Sequence, residues 1–176
     1  MQSSKSIRVL TQVALLAAIA IIARSYLSPL IPGLGRINTS FIFSQLVPIL
    51  FGPFAGGLSN ALIDMVSYFI AWQSFGGFMI HLLAVEIFAG ILIGVMWRYI
   101  KMKNRYAKLM IVILTVNIIY TVLNTWGLMY AGWLANDWLL LPPRLALAIG
   151  VAIVNVHVMF ILLNVYEKYI KKEKLQ

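Results

Sequence analysis

The sequence predicts an all-α integral membrane protein, a single transmembrane domain over residues 1–176 built as a bundle of about six helices. Hydrophobic residues make up 62% of the chain and charged residues only 11%, whereas about 25% of an ordinary soluble domain is charged. The apolar runs are long and lack the alternation of barrel strands, so the membrane spans are expected to be α-helical. At roughly 20 residues a span, the length accommodates about six of them.

Proline and glycine clusters set the boundaries of the predicted helices, because these residues interrupt or end a helix. Residues 28–35 end the first helix, Gly52-Pro53 separates the second from the third, and residues 74–77 form the next turn. Pro142-Pro143 suits the first turn of the last helix. We predict helices over residues 7–26, 38–51, 53–72, 78–100, 109–130 and 142–169. The first apolar run has no convincing cleavage site, so we expect a retained helix rather than a signal peptide.

The basic residues predict the orientation of a multi-pass protein in the cell membrane. Eleven of the 14 Lys and Arg lie in three clusters: Lys5 and Arg8; Arg98, Lys101, Lys103, Arg105 and Lys108; and Lys168, Lys171, Lys172 and Lys174. With six spans, all three clusters fall on the side of both termini, which the positive-inside rule makes cytoplasmic. The net charge of +9 therefore indicates membrane topology rather than a nucleic-acid partner, since the charges form no continuous basic face.

Three arginines remain outside these clusters, Arg24, Arg36 and Arg144, and the same topology places them at or near the outer face. One interpretation is that they reach lipid headgroups or cap helix carbonyls. The other is a pocket for an anion, since a planar guanidinium donates two parallel hydrogen bonds to a carboxylate. The convergence of three arginines, where Asp137 is the only acidic residue of the outer loops, favours the pocket.

Aromatic and amide side chains share this predicted outer end. Trp72, Phe75 and Trp126 are candidates to sandwich a flat ligand, although an aromatic belt at the membrane interface explains the same positions. Asn38 and Asn124 are candidates to hydrogen bond a polar heterocycle or an amide. An unsatisfied amide inside an apolar helix is costly, so an interhelical hydrogen bond is the alternative role of Asn124.

Two acidic residues, Asp64 and Glu86, lie within predicted spans. Intramembrane carboxylates usually face a cavity or a partner, so a proton or sodium relay is one interpretation. Pairing with each other, or with His81 or Asn60, is simpler because no chain of titratable groups accompanies them. An intramembrane enzyme that uses the two carboxylates is a further alternative, without a nucleophile or metal motif to support it.

Catalytic and metal-binding motifs are missing from the sequence. The chain has no cysteine, and His81 and His157 lack the spacing of metal ligands. It contains no phosphate-binding loop, zinc-protease motif or nucleophile elbow, and no inverted repeat typical of a self-contained transporter. We therefore expect no catalytic residue, no metal and no cofactor in this chain, which favours a substrate-capture subunit over an enzyme.

Small residues on two predicted helices indicate close helix packing. Ala14 and Ala18 are four residues apart on the first helix, and Gly90 and Gly94 form a similar pair on the fourth. Such pairs let a second helix approach closely. The alanine pair suits either packing inside the bundle or docking of a partner membrane subunit.

Landmarks along the whole chain are similar to those of a known family. They are Arg36-Ile37, Val47-Pro48-Ile49, Phe51-Gly52-Pro53 with Gly56-Gly57, Asp64, Gly76-Gly77-Phe78, Gly90-x-x-x-Gly94, Leu123-Asn124-Thr125 and Leu141-Pro142-Pro143-Arg144. Over residues 11–163 the sequence resembles the substrate-binding S component of an energy-coupling factor (ECF) vitamin transporter, most of all its folate branch.

The resemblance implies a six-helix S-component fold that binds a vitamin near the outer face. It also implies a transmembrane coupling subunit and two cytoplasmic ATPase subunits as partners, with ATP used by those subunits, and it implies docking through the surface of Ala14 and Ala18. Folate, with two carboxylates and a flat pterin, would employ the three arginines and the aromatic residues. Pantothenate, with one carboxylate and no ring, stays open as an alternative, as does a non-transport protein whose outer arginines bind membrane lipid.

Overall fold

The structure, a computed structural model, describes residues 2–31, 35–36, 38–70, 79–132, 134 and 138–168, with the backbone alone for 2–6, 30–31 and 35–36. The described residues form six α-helices, a two-stranded antiparallel pairing and one 3-10 turn. The elements in chain order are α1 (Gln2–Tyr26), β1 (Leu30–Ile31), β2 (Gly35–Arg36), α2 (Phe41–Phe51), α3 (Pro53–Ile70), α4 (Ile80–Tyr99), α5 (Arg105–Tyr130), the 3-10 turn Trp138–Leu140 and α6 (Leu141–Tyr166).

The all-helical class is confirmed, and four segments are long and apolar enough to cross a membrane. They are Ile7–Tyr26, Ile80–Tyr99, Arg105–Tyr130 and Trp138–Tyr166. The 11-residue α2 is shorter than a full span. Six complete spans and a cytoplasmic position of both termini therefore stay predictions.

Several predicted helix boundaries were wrong, and the start of α5 shows why. Its first residue is Arg105 rather than residue 109. The side chain of Asn104 accepts hydrogen bonds from the backbone N–H groups of Tyr106 and Ala107 at 3.0 and 3.2 Å. Such a cap satisfies donors at the open end of a helix, so α5 extends into the basic cluster.

Two other helix starts also shift, and one short strand pairing was not predicted. α1 begins at Gln2 rather than residue 7, and α2 begins at Phe41 rather than residue 38. In the connection between α1 and α2, Leu30 pairs with Arg36 and Ile31 with Gly35, where no strand was predicted. A two-residue pairing is too short to leave an alternating sequence pattern.

The apolar core lies among α2, α4, α5 and α6. Its buried side chains include Leu46, Ile93, Ile113 and Met159. α1 packs against α2 and α3 instead, through a smaller cluster around Ala17, Ala20 and Ile63. Alanines on this face bring the α1 backbone close to α3, which positions the last turn of α1 near polar groups of the bundle.

Glycines on α3 and α4 allow these two helices to approach closely. A methyl group added at Gly90 would lie 2.7 Å from the carbonyl carbon of Gly56 and 3.0 Å from Nδ2 of Asn60. One added at Gly94 would lie 2.6 Å from the backbone nitrogen of Pro53. The Gly90 and Gly94 pair is therefore used inside the bundle.

We expect Gly90→Ala to lower the free energy of unfolding by about 1–3 kcal/mol, because the new methyl group meets backbone that cannot move aside. The matched control is Gly150→Ala in α6, where nothing lies within 4 Å of the added carbon. That change is expected to be neutral or to stabilise by up to about 1 kcal/mol. Thermal unfolding of both variants in detergent micelles measures the difference, and equal melting temperatures would contradict the close α3–α4 contact.

Candidate functional site

Arg24, in the last turn of α1, lies between two carboxylates. Its side chain is 12% exposed and forms salt bridges with Asp64 of α3 and Glu86 of α4. The Nη1 atom donates to Oε1 of Glu86 at 2.8 Å, and Nη2 donates to Oδ1 of Asp64. A buried charge is stable only when it is paired and hydrogen bonded, and Arg24 satisfies this requirement with two partners.

Glu86 connects this ion cluster to α5 and to α3. Its Oε1 atom also accepts a hydrogen bond from the hydroxyl of Tyr120 at 2.9 Å. The backbone carbonyl of Glu86 accepts from Nδ2 of Asn60 at 3.1 Å. Nε2 of His81 lies 3.0 Å from the carbonyl of Gly127. The predicted partners were wrong, because the two carboxylates pair with Arg24 rather than with each other, with Asn60 or with His81. This supports pairing inside the bundle as the role of the two acidic residues.

A second polar contact links Tyr120 to Arg144 in the first turn of α6. Asn124 lies one turn beyond Tyr120 on α5, and its Nδ2 donates to the Tyr120 oxygen at 3.5 Å. The Oδ1 of Asn124 accepts from Nη2 of Arg144 at 3.2 Å. Asn124 therefore makes the interhelical hydrogen bond that was one of its two predicted roles. Its other predicted role, a contact with the ligand, stays a prediction.

The two arginines differ in how their charge is compensated. Arg24 contacts two carboxylates, whereas Arg144, which is half-buried, has no acidic partner among the described residues. An amide oxygen satisfies one guanidinium N–H but does not neutralise the charge. Arg144 can therefore accept an incoming anion without first losing an ion pair.

The remaining predicted site residues do not join this network in the described structure. Asn38 accepts from the backbone N–H of Ser40 at 3.1 Å and orders the start of α2. Trp126 is 54% exposed and stacks on Tyr130, with ring centroids 6.0 Å apart. The backbone of Arg36 lies in β2, and Trp72 and Phe75 fall outside the described residues. Their predicted contacts with a ligand stay predictions.

Tyr120 is the polar residue of this network that sequence reasoning missed. It lies in an apolar stretch of α5, where a tyrosine is usually interpreted as part of an aromatic belt or of the core. A signal was present, because Tyr120 and Asn124 are four residues apart and so share one face of a helix.

The predicted docking pair on α1 faces away from the bundle. Ala14 and Ala18 are exposed, whereas Ala17 and Ala20 are 7% and 0% exposed and pack against the rest of the chain. The internal contacts of α1 thus use a different face and leave the Ala14 and Ala18 surface available to another helix.

One comparison with known proteins identifies a family, and a second finds a shared fold. The sequence pattern of the family described as ECF transporter, substrate-specific component, matches residues 8–167. Among solved structures, the fold is similar to a crystal structure of FolT bound with folic acid, with a TM-score of 0.67 and 19% sequence identity. The superposition covers 86% of this chain and 88% of that one. No curated protein matches the sequence. The structural likeness, at this identity, establishes a shared fold.

Proposed function

The chain belongs to the family of substrate-specific components of ECF transporters, and we propose that it captures folate for a vitamin importer of this type. Family membership makes it a membrane-embedded binding component of a transporter rather than an enzyme. Its helices have the S-component fold expected from the sequence, which FolT shares. The proposed location is the cell membrane, with folate captured at the outer face and with high affinity.

The proposal rests mainly on one observation, the charge of Arg144, which no described acidic residue compensates. Arg144 is a half-buried cation at the start of α6 whose only described polar partner is the neutral amide of Asn124. An arginine fork matches a carboxylate, and a positive charge in a partly dry site gains most from a negative ligand. Folate presents two carboxylates at one end, so one of them would complete the environment of Arg144.

The remaining predicted site residues favour folate over pantothenate as the proposed ligand. Arg36, Asn38, Trp72, Phe75 and Trp126 provide a second cation, an amide and aromatic surfaces suited to a flat pterin. Pantothenate has one carboxylate and no ring, and would leave most of these groups unused. Lipid phosphates remain the alternative anion for Arg144, in a protein that does not transport.

A tryptophan-fluorescence titration of the purified protein with folate and with pantothenate tests this function. The chain has five tryptophans, and Trp126 lies on the same helix as Asn124. We expect saturable quenching by folate and none by pantothenate. Saturable quenching by pantothenate alone would mean that this member of the family binds pantothenate rather than folate. If neither compound quenches the fluorescence, folate capture is contradicted.

Delivery of the vitamin requires partners that supply energy. We propose a transmembrane coupling subunit and two cytoplasmic ATPase subunits, which would use the ATP. The exposed face of Ala14 and Ala18 suits the coupling subunit, because small side chains let a partner helix approach its backbone. Membrane lipid would cover this face when the partner is absent.

We expect Ala18→Leu to reduce co-purification with the coupling subunit by about tenfold, since bulk at a small-residue contact separates the helices. Folate affinity should be unchanged, because Ala18 faces away from the ion cluster of Arg24, Asp64 and Glu86. Ala84→Leu on α4 is the control, an equally small and exposed residue on another helix. If Ala18→Leu and Ala84→Leu assembled equally well with the partner, the docking surface would lie elsewhere.

A further inference from the structure

A continuous chain of polar contacts crosses five helices of the bundle. It runs from Asp64 on α3 through Arg24 on α1 and Glu86 on α4 to Tyr120 and Asn124 on α5, and ends at Arg144 on α6. We propose that Tyr120 is a positioning residue for the ligand, which holds Arg144 in its anion-binding orientation through Asn124. The inference rests on the proposed function, since it concerns how the same site holds its ligand.

The direction of the hydrogen bonds follows from the charge of Glu86. An ionised carboxylate only accepts hydrogen bonds, so the Tyr120 hydroxyl is the donor in its hydrogen bond with Oε1 of Glu86. The Tyr120 oxygen is then left as an acceptor, which favours the amide Nδ2 of Asn124 as its donor. The amide oxygen of Asn124 consequently points at Arg144, whose guanidinium has donors and no acceptor.

Loss of the Tyr120 hydroxyl removes one of the two described hydrogen bonds that hold this amide. Nδ2 of Asn124 then has no described acceptor, and the hydrogen bond with Arg144 alone holds the Asn124 side chain. The contact between Nδ2 of Asn124 and the Tyr120 oxygen is 3.5 Å long, the longest of these polar contacts, so its loss is expected to loosen the Asn124 and Arg144 pair rather than to break it. Arg144 would lose its fixed position and pay more conformational entropy when a ligand binds.

The ion cluster of Arg24, Asp64 and Glu86 gives a rigid base to the relay, by which we mean the linked side chains of Tyr120, Asn124 and Arg144. Oε1 of Glu86 is held by Arg24 as well as by Tyr120, and the Tyr120 ring packs edge-on against Phe41 with centroids 5.1 Å apart. Tyr120→Phe therefore leaves the ring contact in place and leaves Glu86 paired with Arg24. The variant is expected to fold.

Calorimetric titration with folate tests the relay. We expect Tyr120→Phe to weaken folate binding about five- to tenfold, as the loss of one hydrogen bond's ordering effect implies. In an Arg144→Ala background the same change should alter the affinity by less than about twofold, because a positioning residue has no effect once the residue it positions is gone. A merely structural role would lower affinity equally in both backgrounds.

Asn124→Leu is the second variant, which removes the next link and should show the same dependence on Arg144. Tyr106→Phe is the matched control, since its hydroxyl bonds to His157 and not to the relay. Its folate affinity should equal that of the wild type. If the wild type binds folate and Tyr120→Phe binds it equally well, the relay alone is overturned. The same holds if Tyr120→Phe lowers the affinity equally in both backgrounds. Wild-type protein that does not bind folate would overturn the proposed function and the relay with it.

Discussion

Replacing Arg144 with alanine is expected to weaken folate binding at least about 100-fold, as removal of one partner of a desolvated charge pair does. The protein should stay folded, since Arg144 makes a single described hydrogen bond, to the neutral amide of Asn124. No buried carboxylate among the described residues loses its cation in this variant. Fluorescence titration gives the dissociation constant, and thermal unfolding without ligand gives the stability.

Two further variants define what an Arg144→Ala result means. Arg144→Lys keeps the charge and loses the bidentate fork, so an intermediate affinity is expected. Arg8→Ala removes an exposed arginine from the other end of α1 and should bind folate as the wild type does. An Arg144→Ala protein with normal affinity but a lowered melting temperature would favour the lipid-anchoring interpretation over the ligand site.

The sequence predicts the helices well because their cause is local. Long apolar runs and the prolines and glycines between them are visible in any short window of the chain, and they place all six helices in the correct order. The errors lie at the ends, where one side chain decides the boundary. Asn104 extends α5 by a turn through its cap, and a hydropathy pattern does not contain that hydrogen bond.

The site was harder to predict because its contacts join distant parts of the chain. Arg24 lies 40 residues from Asp64 and 62 from Glu86, and topology alone assigns only the end of the bundle that each residue occupies. The sequence of α1 nevertheless indicates that the Arg24 side chain points into the bundle. Ala17, Ala20 and Arg24 share one helical face, and the burial of both alanines directs Arg24 into the bundle.

This placement separates two roles that the sequence treated as one. Arg24, Arg36 and Arg144 were all predicted to contact an anion, and a contact between Arg24 and the ligand stays a prediction. The guanidinium of Arg24 already forms salt bridges with the carboxylates of Asp64 and Glu86. We infer that Arg24 chiefly holds α1 to α3 and α4, and that it supports the ligand site through Glu86 and Tyr120.

Arg24→Met is the variant expected to have the largest effect on stability, a loss of about 3–5 kcal/mol. The side chains of Asp64 and Glu86 are only 14% and 5% exposed, so removal of their shared cation leaves two carboxylates in a site with little water. Yield from the membrane and the melting temperature in detergent should both fall. A melting temperature equal to the wild type would contradict the structural role of this ion cluster.

The triple variant Arg24→Met, Asp64→Asn, Glu86→Gln separates the structural role of Arg24 from a role in binding. Neutralising both carboxylates removes the uncompensated charge, and replacement of a whole buried ion cluster is often close to neutral in stability. We therefore expect most of the lost stability to return. If Arg144 provides the anion contact, the folded triple variant should bind folate within about tenfold of the wild type. A loss of more than about 100-fold in a folded triple variant would instead show that Arg24 itself contacts the ligand, and that Asp64 and Glu86 hold it in place until folate arrives.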